Sequence, residues 1–398
     1  MKVQKETVAI TTLLATGALS LPVLTSGFLA GQLLGTSIAS FLISISAAII
    51  ATLAGISAYT GSAFKANTII LAKKHFGNIG IIMVAFALAV ALTGWFSVQT
   101  IFICNALSSL VPMISGPICI VSIGILLTLV RMLGLAGLGI IAAGMSLPLG
   151  IVMGQVIMHL PTQATVVTST AANILLTVGG LLGTTITATL ELPILYESIA
   201  KPRDAVLSSL IIFGFCVPAI QALGAYIGSH GEVDADIIST LVTSIPGGTT
   251  MVAVLIICSG VIANLLNLFS SSQSLKSIVP SLGTRTSIGI AGGAGTLLAL
   301  LPIQTNLLQF FSLLTVSAGS LSLIMIHTYI MKIFHQSRKI LTSQQALIIW
   351  LCATAMGIIS QNFAVAHQLL NPLITALVIT SALLALQPKS PLKQRIAS

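Results

Sequence analysis

The chain has 398 residues, 56% of them hydrophobic and only 6% charged. A soluble domain carries roughly a quarter charged residues, so the composition excludes a soluble enzyme or binding module and leaves an all-α polytopic membrane protein. The formal net charge of +9, from 16 Lys and Arg against 7 Asp and Glu, is read through where those residues fall.

A bilayer-spanning helix needs about 20 apolar residues, which leaves room for about twelve spans. Breaks at charges, prolines and Gly/Ser clusters predict them near 7-31, 36-60, 78-108, 116-132, 135-159, 168-196, 205-229, 238-269, 286-302, 305-334, 344-364 and 368-387. The apolar run after Lys2 and Lys5 passes signal-peptide length without a convincing cleavage site, so it reads as an uncleaved first span. Two connections are longer than turns: Ser62 to Asn78 and Ser272 to Arg285. The first mixes apolar and basic residues and reads either as a short interfacial helix or as a loop facing anionic lipid. Cys104, Cys119, Cys216, Cys258 and Cys352 sit in apolar segments at irregular spacing, as small hydrophobes do.

With a cytoplasmic amino terminus, the inner loops hold Lys65, Lys73, Lys74, Arg131, Lys201, Arg203, Lys276, Arg285, Lys332, Arg338 and Lys339. Lys2, Lys5, Lys389, Lys393 and Arg395 at the ends complete the 16 basic residues, all on one side. The outer loops carry Glu232, Asp234 and Asp236 instead. This is the orientation signal of a multi-pass inner-membrane protein with both termini cytoplasmic, and no nucleic-acid footprint.

The chain reads as one transmembrane domain with an internal division: 1-160 and 161-336 each hold five spans, and 337-398 the last two and a tail. An odd number of spans inverts the second set, and five-plus-five inverted repeats are a transporter plan whose binding site lies where the first helix of each repeat is interrupted. The first span contains Gly17 and Pro22; the sixth contains Gly179, Gly180, Gly183 and Pro193. Both are therefore open to unwinding, although small residues also serve close helix packing.

Two stretches carry chemistry. Asn264 to Ser274 places Asn264, Asn267, Ser271 and Ser274 on one helical stripe with Ser270 alongside. A stripe this polar must face protein, either as interhelical glue or as a substrate or ion site. Trp95 in TGWFS lies mid-span, where tryptophan is unusual; it reads as a core aromatic or a stacking surface. Glu191, about ten residues before Lys201, reads as a gate, a partner for a cation, or, slightly favoured, a carboxylate snorkelling to the interface. His327 reads as a satisfied core histidine rather than a proton relay, and Arg131 as a topological charge. No Walker loop, HExxH or GxSxG is present.

Several segments together resemble bacterial members of the nucleobase:cation symporter-1 family: AGISAYTG (Ala54 to Gly61), GWF (Gly94 to Phe96), TATLE (Thr187 to Glu191), LNLFSSSQS (Leu266 to Ser274) and MIHTYIM (Met325 to Met331). The resemblance implies a LeuT-type fold, import of a nucleobase-like heterocycle and sodium as coupling ion, with no other cofactor. The family's stacking tryptophan falls on Trp95 and its helix-eight asparagine on Asn267. Its sodium-binding hydroxyls fall on Ser270 and Ser271, with carbonyls at Thr12, Thr16 and Asn267 completing the implied sodium site. Gly17 and Gly183 border the same implied substrate site. Two positions depart from the cytosine permeases: the base-reading glutamine is Leu92 and the second stacking aromatic is Leu182. Amino acids, hydantoins or vitamins remain open as substrates and protons as the driving ion. An intramembrane enzyme and a passive channel are the readings from other classes. From the charge segregation, a protease-sensitive tag appended at Ser398 is expected to be cleaved only after cells are permeabilised; cleavage on intact cells would reverse the topology.

Overall fold

The computed structural model describes residues 2–133, 135–159, 170–231, 237–301, 307–333, 341–367 and 371–386. Along them run α1 (Lys2–Ala18), α2 (Leu21–Phe64), α3 (Thr68–Leu110), α4 (Gly116–Arg131), α5 (Leu135–Met158), α6 (Ala171–Tyr196) and α7 (Pro202–Ile211). A π-helical turn, Ile212–Cys216, joins α7 to α8 (Val217–His230). The remainder is α9 (Ile237–Ser244), α10 (Gly248–Ile278), α11 (Thr284–Ala299), α12 (Leu307–Ile333), α13 (Ser343–His367) and α14 (Pro372–Ala385). The loop acids Glu232, Asp234 and Asp236, together with Arg338, Lys339 and the tail from Lys389 to Ser398, lie outside the described residues.

The first crossing is broken. Leu19 and Ser20 leave the helix, Ser20 being extended at φ −76 and ψ 151, and Pro22 in the first turn of α2 has no N–H to offer the carbonyl of Ala18. The break falls between Gly17 and Pro22, the two residues that mark this span as open to unwinding. The matching interruption expected in the sixth span is not formed: α6 is continuous from Ala171 to Tyr196. Of its glycines, Gly179 serves packing instead, while Gly180 and Gly183 line the larger cavity. A Cβ on Gly179 would lie 2.2 Å from the Asn371 amide. The hydroxyls of Thr184, Thr185 and Thr189 fold back onto α6's own carbonyls.

α2 has 44 residues, about 66 Å if straight and twice the roughly 30 Å hydrocarbon core. It reverses at Gly35, whose φ of 73 and ψ of 165 lie where only glycine sits without strain. Packing shows the reversal. Before it, Gly27 and Gly31 rest on Gln221 and Ala225; after it, Ala51 and Gly55 rest on Gly214 and Leu210. One arm thus runs along the α7–α8 rod and the other against it. Among the described residues seven helices, counting the α7–α8 rod as one, are long and apolar enough to cross a membrane, and α1, α4, α12 and α14 add shorter apolar stretches.

The tightest contact is between the first arm of α2 and α8. A Cβ on Gly27 or Gly31 would sit 1.9 or 2.0 Å from the carbonyl oxygens of Gln221 and Ala225. Reciprocally, one on Gly224 or Gly228 would sit 2.2 or 2.0 Å from those of Leu24 and Phe28. Both helices therefore carry a Gly-x-x-x-Gly pair that lets backbones touch, the packing that substitutes in lipid for a hydrophobic driving force. A second reciprocal pair, Gly124 on Thr296 and Gly292 on Thr128, joins α4 to α11.

Other differences from the sequence expectation have local causes. The first long connection is the helical alternative: Thr68–Phe76 is capped by Asn67, whose side chain accepts from the N–H of Ile70 at 2.9 Å. It turns away from the crossing at Gly77, φ 61. The eighth span begins at Gly248, after the separate α9, and runs through Ser272 to Ile278 where a loop was expected. Its serines keep it helical by bonding within the helix, Ser272 to the carbonyl of Phe269 and Ser274 to that of Ser270, each at 2.8 Å.

Gly31→Ala and Gly224→Ala are each expected to lower the melting temperature of the purified protein by an overpacking penalty of about 1–3 kcal/mol or more. Gly150→Ala, where a Cβ meets nothing within 4 Å, is expected to leave it unchanged.

Candidate functional site

The break after α1 opens into a cavity of about 150 Å³ between α1, α2, α3, α6 and α10. Gly17, Ser20, Leu92, Trp95, Glu191 and Asn267 are among the residues that line it. A larger cavity of about 480 Å³ continues toward the Gly35 end of the molecule, between the first arm of α2, the first half of α6, and Thr315 and Asn371. Pro22, Trp95 and Thr184 line both. The half-buried indole therefore stands at the junction of the two spaces.

The residues anticipated for substrate are distributed unevenly. Leu92, Trp95, Asn267 and Gly17 meet in the smaller cavity, and Gly183 faces the larger one. Leu182 does not stand opposite Trp95: it lines neither cavity and is packed in the main apolar core. The wall of α6 facing the indole is instead Thr184, Thr185, Thr187 and Ala188. A buried amide missed in the sequence, Gln99, also lines the smaller cavity. It lies four residues beyond Trp95 and so on the same helical face, a spacing legible in WFSVQ.

The polar run of α10 divides by partner. Asn264 is glue, its Nδ2 donating to Thr100 Oγ1 of α3 at 3.1 Å. Ser271 turns back to the carbonyl of Leu268 at 3.4 Å. Only Asn267 faces the cavity and only Ser270 reaches across to α6, donating to Oε1 of Glu191. Glu191 is thereby removed from the interfacial, snorkelling role favoured by the sequence: it is buried, hydrogen-bonded and on the cavity wall. Its position follows from helical spacing, because Thr184, Thr187, Ala188 and Glu191 share one face of α6.

On the α1 side, the carbonyl of Thr12 already accepts the Thr16 hydroxyl at 2.7 Å, and that of Thr16 accepts the N–H of Leu19 at 3.2 Å. Because the helix stops at Ala18, the carbonyls without an intrahelical donor belong to its last turn, after Thr12. Arg131 ends α4 as expected for a topological charge but is buried, its guanidinium 4.8 Å from the centre of the Phe269 ring. His327 is half-buried and lines neither cavity.

Beneath the smaller cavity, toward the start of α1, the bundle is tied shut. Ser208 of α7 meets Thr11 Oγ1 and the buried Tyr196 hydroxyl, each at 2.7 Å, joining α1, α6 and α7 in one chain of hydroxyls. Ser62 and Lys65 both donate to the carbonyl of Ile199. The space around Trp95 thus continues toward Gly35, while toward the amino terminus these hydrogen bonds cross-link the helices.

A broken first helix packed on the long α10 is the arrangement of the LeuT-type fold. Among solved structures, the chain is similar to Mhp1, a nucleobase-cation-symport-1 family transporter, in a closed conformation with bromovinylhydantoin bound. The TM-score is 0.69 at 15% identity, covering 95% of this chain and 91% of that one. It is also similar to the manganese transporter of Eremococcus coleocola, with TM-score 0.66, 13% identity and coverage of 96% and 93%. A Na+-coupled sialic acid symporter in a substrate-bound outward-open state gives 0.59 at 13% identity, with coverage of 98% and 91%. No protein-family profile and no curated protein sequence matches the chain. At these identities the likeness is one of fold.

Ser208→Ala removes both hydroxyl contacts of the latch, each contributing about 0.5–1.5 kcal/mol. In a background without the five native cysteines, a cysteine at Gly17 is then expected to react about five- to a hundredfold faster with a reagent supplied from the amino-terminal side. An unchanged rate would mean the latch does not hold this side closed.

Proposed function

We propose that the protein is a secondary active transporter that imports a small, largely uncharged, nucleobase-like heterocycle together with a cation, sodium, by alternating access. The observation that carries this reading is the position of Trp95 between two cavities, beside the helix break, with one side continuous and the other latched. A flat ring stacked on the indole would be within the same cavity as Asn267 and Gln99, which offer amide donors and acceptors to its edge. Support for a heterocycle comes from Mhp1, whose structure holds bromovinylhydantoin; support for sodium comes from the Na+-coupled symporter. Leu92 at the position of the family's base-reading glutamine argues against cytosine itself. Gln99 is the alternative reader. In this reading the sodium ion lies beside the cavity with Ser270 of α10 among its ligands, and the protein sits in the inner membrane with both termini cytoplasmic.

The test is a thermal-stability screen of the purified protein against nucleobases, hydantoins and related heterocycles, with and without sodium, followed by uptake of any hit into sealed vesicles. Accumulation against a gradient, dependent on a cation gradient, is expected. Flux without cation dependence would indicate a channel, and chemical conversion of the hit in detergent an enzyme. Stacking on an aromatic side chain contributes about 1–3 kcal/mol per base. Trp95→Ala is therefore expected to weaken binding of the hit about five- to a hundredfold, measured by titration of the folded variant; unaltered affinity would reduce the indole to packing.

A further inference from the structure

The smaller cavity holds one ionisable side chain, Glu191, and one buried hydroxyl without a hydrogen-bond partner, Thr187 Oγ1. They are four residues apart on α6 and so one turn apart on the same face. Ser270 of α10 meets the carboxylate from the other side. The hydroxyls of Thr184, Thr185 and Thr189 are all spent on α6's own carbonyls. Thr187 alone of these four threonines is left over, and it is left over facing the cavity. A buried, unpaired oxygen beside a buried carboxylate is a costly arrangement in an apolar bundle. It is stabilised when a small cation takes both oxygens as ligands.

We infer that Glu191, Thr187 and Ser270 form a monovalent-cation site on the α6 wall of the cavity, in which sodium and a proton compete for the same carboxylate. The inference rests on the transporter reading and names its coupling site. It also alters the all-neutral sodium site anticipated from the α10 serines. A neutral oxygen cage leaves the ion's charge uncompensated, whereas ionised Glu191 balances it. Ser270 changes role on loading: with the site empty of sodium its hydroxyl proton points to the carboxylate, and with sodium present its lone pairs turn to the ion. Ser271, bonded back to its own helix, has no part in the site.

Competition with protons can be assigned to Glu191 because no other ionisable side chain among the described residues lines the cavity. On the elements packed against it, the described ionisable side chains are Tyr59 of α2, Lys73, Lys74, His75 and Cys104 of α3, Tyr196 of α6 itself, Arg203 and Asp204 of α7, Cys216 of the π-helical turn, Tyr226 and His230 of α8, Cys258 and Lys276 of α10, and His327 and Tyr329 of α12. None of these is on the cavity wall.

The experiment needs no substrate: melting curves of the detergent-purified protein in sodium chloride titrated against choline chloride at constant ionic strength, from pH 5 to 8.5. Sodium is expected to raise the melting temperature, and its apparent affinity to fall toward acid pH by up to tenfold per unit as protons occupy the carboxylate. In Glu191→Gln the sodium response is expected to weaken at least tenfold and to lose its pH dependence. Thr187→Val is expected to weaken it about three- to tenfold, and Ser271→Ala to leave it unchanged. Should Glu191→Gln fail to fold, Thr187→Val and the wild-type pH dependence decide. A wild-type sodium response that is absent or independent of pH overturns the inference, as does a Glu191→Gln or Thr187→Val response equal to wild type. Heterocycle uptake driven by a cation gradient in the presence of any of those results would leave the transporter reading standing and remove only this site.

Discussion

The close approach of α2 to α8 is the contact on which the rest of the molecule depends. In lipid, apolar side chains gain little by meeting one another, so helices are held by shape and by backbones that can touch. Gly27, Gly31, Gly224 and Gly228 provide that contact within a few residues of the break at Ser20. The first arm of α2 is thereby clamped along α8, which leaves α1 as the separate half of the first crossing. Residue geometry at the centre of the bundle follows from this division. The end of α1 faces Leu266 and Ile262 of α10 at Gly17, where a Cβ would lie 3.5 Å and 4.0 Å from them. Trp95 is set between the two halves.

Polar groups in the bundle take one of three main courses, to their own helix, to a neighbouring helix, or to a cavity, while Ser57, Tyr329 and Thr354 each leave a buried oxygen without a hydrogen-bond partner. Most serine and threonine hydroxyls take the first course. Asn264 with Thr100, and Gln221 with Ser26, take the second. Glu191, Thr187, Asn267 and Gln99 take the third, and they converge around Trp95. Function is located by the exceptions, because a side chain that passes over the local carbonyl available to it has been placed for something else.

Much of the fold could be read from the sequence because it depends on patterns that are local. Apolar length and charge segregation give the crossings. Gly17 and Pro22 together mark the first span as open to interruption, so that break was legible to within a few residues. Whether α6 also breaks was not, since Gly179 and Gly183 permit either unwinding or close packing, and Asn371 and Leu373, remote in the chain, decide it. The extent of α10 was misjudged for a related reason: serines that look like loop residues bond back within the helix when lipid offers them no water. In the site, Trp95 and Asn267 were legible as polar or aromatic anomalies in an apolar stretch. Glu191 was seen but misplaced, because a carboxylate ten residues from a lysine carries no sign of whether it points to the interface or to Ser270. Leu182 was misassigned because a one-residue step on a helix turns a side chain by about 100°, from the cavity wall at Gly183 into the core.

The reversal at Gly35 has a mechanical consequence. Two membrane-crossing arms joined through a single residue share no slack, so the first arm cannot slide or tilt without transmitting force to the second. Both arms also grip the same rod, one near α8's glycines and one near Gly214 and Leu210. This corner of the protein therefore behaves as a stiff three-stranded strut. Any rocking between conformations must be taken up at the free joint at Leu19 and Ser20, where the chain has neither a helical ladder nor a glycine contact to resist it.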